Sequence, residues 1–396
     1  MFGFRHSKGV VFMKANRFGT GVVMLTACLV LGGGCSQWIS KRALERGSTA
    51  LKKGDYAMAA KQLEKAARTI TDSPDLYYNL GTAHQRLGNL DAALKAYQTA
   101  LDLKPSDATV MLCIGDIHLK RQNWEEAIAV FEKAGQNLPP SAEVLTALAQ
   151  ASEGANRTDA ARLYLLRALR VDRAYTPALY NLGCLYRDKY MLPAEAMEQF
   201  ELFLRAADPK DPHAAQAKAK IDQLRQVVNR LAPQLPTGAK RDPTGALKLV
   251  AEGDRQRAAK QTAKAEKAYR DALAADPLCH DAAYNIGLLC RAKGNLPEAM
   301  RAFQRAAAME SVRSVTLIEA AQTAMLLKDY PNANRMLDRA IARNPTSASP
   351  YASMALVRVA EGRKAEARLY AEQYVRLAQP SPDRDRYETW AKTLPR

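Results

Sequence analysis

Residues 74–105 read PDLYYNLGTAHQRLGNLDAALKAYQTALDLKP. The pair Leu80-Gly81 returns as Ile114-Gly115, Leu148-Ala149 and Leu182-Gly183, each 34 residues after the last. A fixed period of this length means that one supersecondary unit stacks on the next, because a single unit cannot cover its own apolar face. With each unit numbered from 1, units begin at 40, 74, 108, 142 and 176, and a second run in its own phase begins at 246, 280, 314 and 348.

Within the unit at 74, Leu80 and Gly81 take positions 7 and 8, Gly88 position 15, Ala93 position 20, Tyr97 position 24, Ala100 position 27 and Pro105 position 32. The next unit has Ile114, Gly115, Ala127, Phe131, Ala134 and Pro139 in these places, and the second run has Ala265, Tyr269, Ala272 and Pro277, then Ile286, Gly287, Gly294, Ala299, Phe303 and Ala306. Small residues at 8, 20 and 27 let two antiparallel helices approach closely, and bulk there would overpack. The aromatic at 24 fills the space between units, Gly at 15 suits the turn, and Pro at 32 ends the second helix. This pattern resembles the tetratricopeptide repeat (TPR) signature. The resemblance implies an all-α fold, a TPR α-solenoid in which helical hairpins wind into a right-handed superhelix, here in two arrays.

Departures from the pattern organise the chain. The unit at 40 carries Arg46 and Ala50 where an apolar residue and an aromatic are expected, which reads as an N-terminal cap. In the unit at 176, Ala196 and Phe200 come one residue late, so an insertion lies around Tyr190 to Pro193. A single amphipathic helix over 213–231, with Ile221, Leu224, Val228 and Leu231 on one stripe, closes the first array. Residues 232–245 hold Pro233, Pro236, Gly238 and Pro243 without apolar periodicity. The expected division is a TPR array over 40–231 (five units plus the closing helix), a Pro-rich linker over 232–245, a four-unit array over 246–381 and a C-terminal cap helix over 382–396 bearing Tyr387 and Trp390. The starts at 176 and 246 differ by 70, twice 34 plus two, so a continuous superhelix with one degenerate unit stays open.

The start of the chain reads as an export signal over 1–34. Lys14 and Arg17 precede an apolar run from Phe18 to Leu31, and Gly32-Gly33-Gly34 leads into Cys35-Ser36. Cysteine directly after small residues resembles the lipobox of bacterial lipoproteins, which implies cleavage before Cys35, acylation there and a lipidated N-terminus over 35–39. Leu25-Thr26-Ala27-Cys28 is the alternative, although cleavage there would leave Leu29-Val30-Leu31 on the mature chain. The true start is Met1 or Met13. An exported lipoprotein of the cell envelope is the expected location.

Across 396 residues, 58 Lys and Arg stand against 41 Asp and Glu, a net charge of +17, and removing 1–34 leaves 54 bases and +13. Such a charge speeds association with acidic partners, membrane surfaces or nucleic acid. Cys113, Cys184, Cys279 and Cys290 form no CxxC pair and no zinc-ligand spacing. His84 and His118 share position 11 one period apart, which at the roughly 10 Å spacing of packed helices is too far for one ion. Metal-protease, nucleophile-elbow, phosphate-loop and dinucleotide fingerprints are missing, so no catalytic residue, cofactor or metal is expected and the chain reads as non-enzymatic.

The TPR resemblance further implies that positions 2, 5, 6, 9, 12 and 13 of each first helix face a ligand. Three units repeat one string there: Tyr78-Asn79-Leu80-Gly81, Tyr180-Asn181-Leu182-Gly183 and Tyr284-Asn285-Ile286-Gly287. Asn offers an acceptor and two donors, enough to hold both C=O and N–H of an extended peptide without reading its sequence. These Asn residues resemble the groove ladder of O-linked N-acetylglucosamine transferases, broken here by Cys113 and Ala147. Arg86, Lys120, Arg187 and Arg291 at positions 12 or 13 add a positive edge suited to acidic side chains. The carboxylate clamp of chaperone-binding TPR domains does not occur in three consecutive units. The expected function is a protein-interaction scaffold of the bacterial envelope, similar to TPR lipoproteins of pilus biogenesis, outer-membrane assembly or cell-wall complexes. Alternatives are an anionic-polymer or nucleic-acid binder using the basic surface, of which nucleic acid is disfavoured, and a soluble cytoplasmic adaptor.

Overall fold

The computed structural model describes residues 37–137, 141–231, 241–309 and 313–395. Among them the chain is helical throughout, with no strand. It divides into two compact units, one ending at Leu138 and the other beginning at Pro139.

The first unit contains α1 (37–52), α2 (Tyr56–Ala67), α3 (Pro74–Arg86), α4 (Leu90–Leu103), α5 (Ala108–Lys120) and α6 (Trp124–Asn137). These are the hairpins read at 40, 74 and 108. Ser73 and Asp107 accept N-terminal amide hydrogens of α3 and α5, so each helix starts where its cap residue stands. Close approach explains position 8: a Cβ at Gly81 would lie 2.6 Å from the ring of Tyr97, which is fully buried. Arg46 is exposed, as expected of the first hairpin.

The second unit continues with α7 (Ala142–Gly154), α8 (Thr158–Val171), α9 (Thr176–Asp188), α10 (Pro193–Ala206) and α11 (Ala214–Leu231). After the undescribed residues come α12 (Pro243–Ala258), α13 (Thr262–Ala275), α14 (His280–Ala292), α15 (Leu296–Ala307), α16 (Ser314–Leu326), α17 (Tyr330–Arg343), α18 (Ser349–Ala360), α19 (Lys364–Leu377) and α20 (Pro382–Thr393). Helix α11 packs on α10 and α20 on α19.

Two boundaries differ from the sequence reading. Asp242 caps α12 through the amide of Gly245, so Pro243 to Gly245 are the first turn of a helix, and of the expected 232–245 linker residues 232–240 lie outside those described. Residues 141–231 also belong with 241–395 in one compact unit, so the division falls after Leu138. The physical reason is a joint that the period cannot reveal. Second helices of the two runs meet, α8 against α19 and α10 against α17.

That joint holds buried charge. Arg162 of α8, with no exposed surface, donates through Nη1 to Asp338 Oδ1 at 2.6 Å and through Nη2 to the Tyr370 hydroxyl, while the ring of Tyr190 lies 4.1 Å from its guanidinium carbon. Asp159 accepts from Arg358 Nε at 3.0 Å and from the Tyr190 hydroxyl at 2.7 Å. Glu195, 4% exposed, accepts from Arg339 Nε at 3.4 Å. Burial would raise the Asp159 carboxyl, but the guanidiniums of Arg162 and Arg358 win and hold it at about 2. At Asp338 burial prevails and raises the carboxyl against the pull of Arg162.

The insertion expected near Tyr190 is visible and has a role in this joint. Hairpin turns elsewhere span three residues, as at 87–89 and 327–329, but α9 and α10 are joined by four, 189–192. The extra residue moves the left-handed turn position to Met191 and lets Tyr190 reach Asp159.

Candidate peptide grooves and their occupants

In the first unit, α3 and α5 present Tyr78, Asn79, Arg86 and Lys120. Tyr78 is half-buried with its ring 6.1 Å from that of Tyr97, and burial raises its phenol above the ordinary value. Asn79 is half-buried and makes no side-chain hydrogen bond among the described residues. Arg86 is exposed over the ring of Tyr56 at 6.0 Å, and Lys120 is exposed with no ion pair among the described residues. A hollow of about 200 Å³ beside Tyr78 is lined by Pro74, Asp75, Asp107 and Thr109. Free amide and free cations on adjoining first helices can hold a peptide backbone with acidic side chains.

In the second unit the same register positions are more fully used by the protein itself. Tyr180 lies against Phe200 and Phe203, and its hydroxyl donates to Gln216 at 2.9 Å and accepts from Lys220 at 2.6 Å, so α11 covers it. Asn181 beside it is half-buried and makes no side-chain hydrogen bond among the described residues. Arg187 is held by Asp188 through two bonds of 2.6 and 2.8 Å. Tyr284 stacks on His280. Asn285 departs from the ladder reading: only 7% exposed, it accepts from Arg257 Nη1 at 3.2 Å and donates to Asp254 Oδ1 at 3.4 Å. Arg291 is paired with Glu319 and so adds little free positive charge. The structure thus sets Tyr78 beside Asn79 and Tyr180 beside Asn181 on first helices with both amides free of side-chain bonds among the described residues, whereas Asn285 and the two arginines of this unit are occupied.

Cys28 and Cys35 lie outside the described residues. Cys113 and Cys184 are half-buried, Cys279 and Cys290 buried, all four as free thiols, and burial raises Cys113, Cys279 and Cys290 away from reactivity. His84 Nε2 sits 3.3 Å from Glu64, and no group of three metal-ligating side chains occurs among the described residues. Among these residues no helix is long and apolar enough to cross a membrane.

Sequence reasoning missed two features. One is the set of buried charges at Asp159, Arg162, Asp338 and Arg358. The other is a hollow of about 540 Å³ at the end of the second unit, between α18, α19 and α20. The small residues Ser349, Ala352 and Ser353 at ligand-facing positions were its available signal.

The chain is 26% identical to the mouse protein "BBSome complex member BBS4" over 176 residues, 43% of this chain and 34% of that one. It is also 26% identical to the bovine BBS4 over 150 residues, 36% of this chain and 29% of that one. The chain therefore spans about a third of the length of these curated relatives. Among solved structures, MamA from Desulfovibrio magneticus RS-1 is similar at 22% identity and a TM-score of 0.41, covering 43% of this chain and 97% of that one. PilF of Pseudomonas aeruginosa is similar at 18% identity and a TM-score of 0.40, covering 50% of this chain and 95% of that one. Nothing in these comparisons points to catalysis. A family model described as tetratricopeptide repeat matches residues 78–142 and 250–311, so the hairpins in those stretches are tetratricopeptide repeats, and the all-α fold of the described residues is that of a TPR solenoid.

Proposed function

We propose that this protein is a non-enzymatic scaffold of the bacterial cell envelope, anchored by lipid on Cys35 (or Cys28), that gathers partner proteins by holding their extended segments in its TPR grooves. The observation that carries the reading is the pair of half-buried amides at Asn79 and Asn181. Each stands at position 6 of a first helix beside a tyrosine, with no side-chain partner of its own among the described residues. These amides have no internal bond to give up, so a ligand that brings a backbone C=O and N–H can engage both their donors and their acceptor. Arg86 and Lys120 beside the first groove favour acidic side chains on that ligand. A leader with Lys14, Arg17, an apolar run and Gly-Gly-Gly-Cys supports export and anchoring. Membership of a multiprotein complex, which the names of the BBS4 relatives state, agrees with scaffolding.

The test has two parts. Intact mass of the protein from membranes should correspond to a chain starting at Cys35 with acyl additions. A start at Met1 or Met13, or full solubility without detergent, would end the lipoprotein reading. Crosslinking in cells followed by mass spectrometry should place a partner segment along Asn79 in the first unit and another along Asn181 in the second, and Asn→Ala at either should weaken capture there by about 1 kcal/mol or more. Capture unchanged in the double variant with its helix content intact would remove the groove reading. Binding that collapses with salt at a slope of many ions would favour an anionic polymer instead.

A further inference from the structure

The hollow at the end of the second unit differs chemically from the rest of its groove. Along α12, α14 and α16 the ionised groups at these positions are matched by the protein itself: Asp254 lies 3.6 Å from Arg257, Arg291 pairs with Glu319 and Arg313 with Asp281. Helix α18 breaks the series, with Ser349, Ala352, Ser353 and Leu356 at the corresponding positions. Their small volume leaves the hollow of about 540 Å³, which α20 walls off. The rings of Tyr374 and Tyr387 form that wall with centroids 4.5 Å apart. Leu356, 46% exposed, supplies an apolar edge, and Gln322, Ser349 and Ser353 supply oxygen acceptors.

Asp383 is the one ionised side chain among the lining residues. Its described partner is Arg386 at 3.4 Å, in a pair whose side chains are 74% and 81% exposed. Such exposed pairs are worth little and exchange readily with an incoming cation. Aromatic faces, a carboxylate and neutral acceptors in one cleft are the chemistry of a guanidinium or ammonium site. On this ground we infer that the hollow takes the Arg or Lys side chain of an extended partner segment, the cation over Tyr374 and Tyr387 and against Asp383, with its aliphatic stem along Leu356. This rests on the groove-binding reading above and adds to it: the second unit selects a basic residue, opposite in sign to the selection expected at Arg86 and Lys120.

The probe is a phage-displayed library of random nine-residue peptides, selected against the full chain in detergent. Peptides retained by the wild type should be enriched in Arg or Lys at one position. For synthetic copies of these, Asp383→Asn should weaken binding about three- to tenfold and Asp383→Glu should restore most of it. Ser349→Trp, which fills the hollow from an exposed position, should abolish the enrichment while leaving thermal unfolding unchanged. Retained peptides with no basic preference, or equal affinity for the Asp383→Asn protein, overturn this inference while leaving groove binding in place. If no peptide is retained by any form of the protein, both readings fall. Displacement by free spermidine at equal affinity to the peptides would assign the hollow to small amines and overturn the peptide assignment.

Discussion

Asn181 and Asn285 hold the same register position on two first helices, yet their surroundings oppose one another. Asn181 makes no side-chain hydrogen bond among the described residues, while Asp254 and Arg257 reach forward from the preceding hairpin and occupy both ends of the Asn285 amide. Replacing Asn79 or Asn181 by Ala should therefore change stability by less than about 0.5 kcal/mol, as at other positions free of internal bonds. Asn285→Ala should cost about 0.5–1.5 kcal/mol, because it removes two hydrogen bonds made by a buried amide to the exposed Asp254 and Arg257 side chains. Urea midpoints of the three variants read the difference directly, and equal midpoints would show that the Asn285 bonds contribute nothing. Register alone could not tell these residues apart, since what differs is a neighbour at positions 9 and 12 of another unit.

At the level of the hairpin, the turn residue at position 15 is in the left-handed region whatever its type. Gly54, Gly88, Gly294 and Gly362 stand there with φ between 78° and 81°, but so do Gln122, Asn156, Lys260 and Lys328 at 58–60°. A side chain in that conformation crowds its own carbonyl, at a cost of about 1–2 kcal/mol that glycine escapes. Lys260→Gly and Lys328→Gly should each raise stability by roughly 0.5–1 kcal/mol once the greater freedom of unfolded glycine is subtracted. A fall in melting temperature for both would show that these lysines contribute more than their backbone costs. Hairpins were the legible part of the fold. The period places α3, α5, α7, α9, α14 and α16 to the residue, because small-against-aromatic packing repeats locally, as Gly183 against Phe200 shows at 2.7 Å. Helix α12 starts earlier than its unit because Asp242 supplies a cap that periodicity ignores. The groove was legible in its Tyr-Asn strings and not in its occupancy, which depends on side chains from adjoining helices.

For the second unit as a whole, the joint between its runs was invisible for a simple reason: Arg162 and Asp338 are 176 residues apart. Within TDAARLYLLRALRV, Asp159 and Arg162 read as the polar face of an ordinary amphipathic helix. Because the Asp159 carboxyl is held at about 2, below its unfolded value near 4, its contribution is present above about pH 4 and is lost as pH falls toward 2. Asp338 has the opposite sign: its raised value means that its carboxylate opposes folding at neutrality, and protonation relieves that cost. Acidification to about pH 4 should thus leave the near-ultraviolet dichroism of the joint tyrosines intact, with loss following between about 4 and 2. The stability difference between wild type and Asp159→Asn should shrink over that same interval, and a difference independent of pH there would show that the carboxylate is not what the guanidiniums hold. The joint also counts. Most repeat arrays lengthen or shorten by duplication, since each hairpin touches only its neighbours. Here a hairpin of 34 residues gained or lost between α8 and α17 would carry Asp338 and Arg358 about 10 Å past Arg162 and Asp159, beyond side-chain reach. The tally of hairpins from Thr158 to Leu377 is therefore fixed by chemistry, and descendants of this gene can grow by duplication only outside that interval.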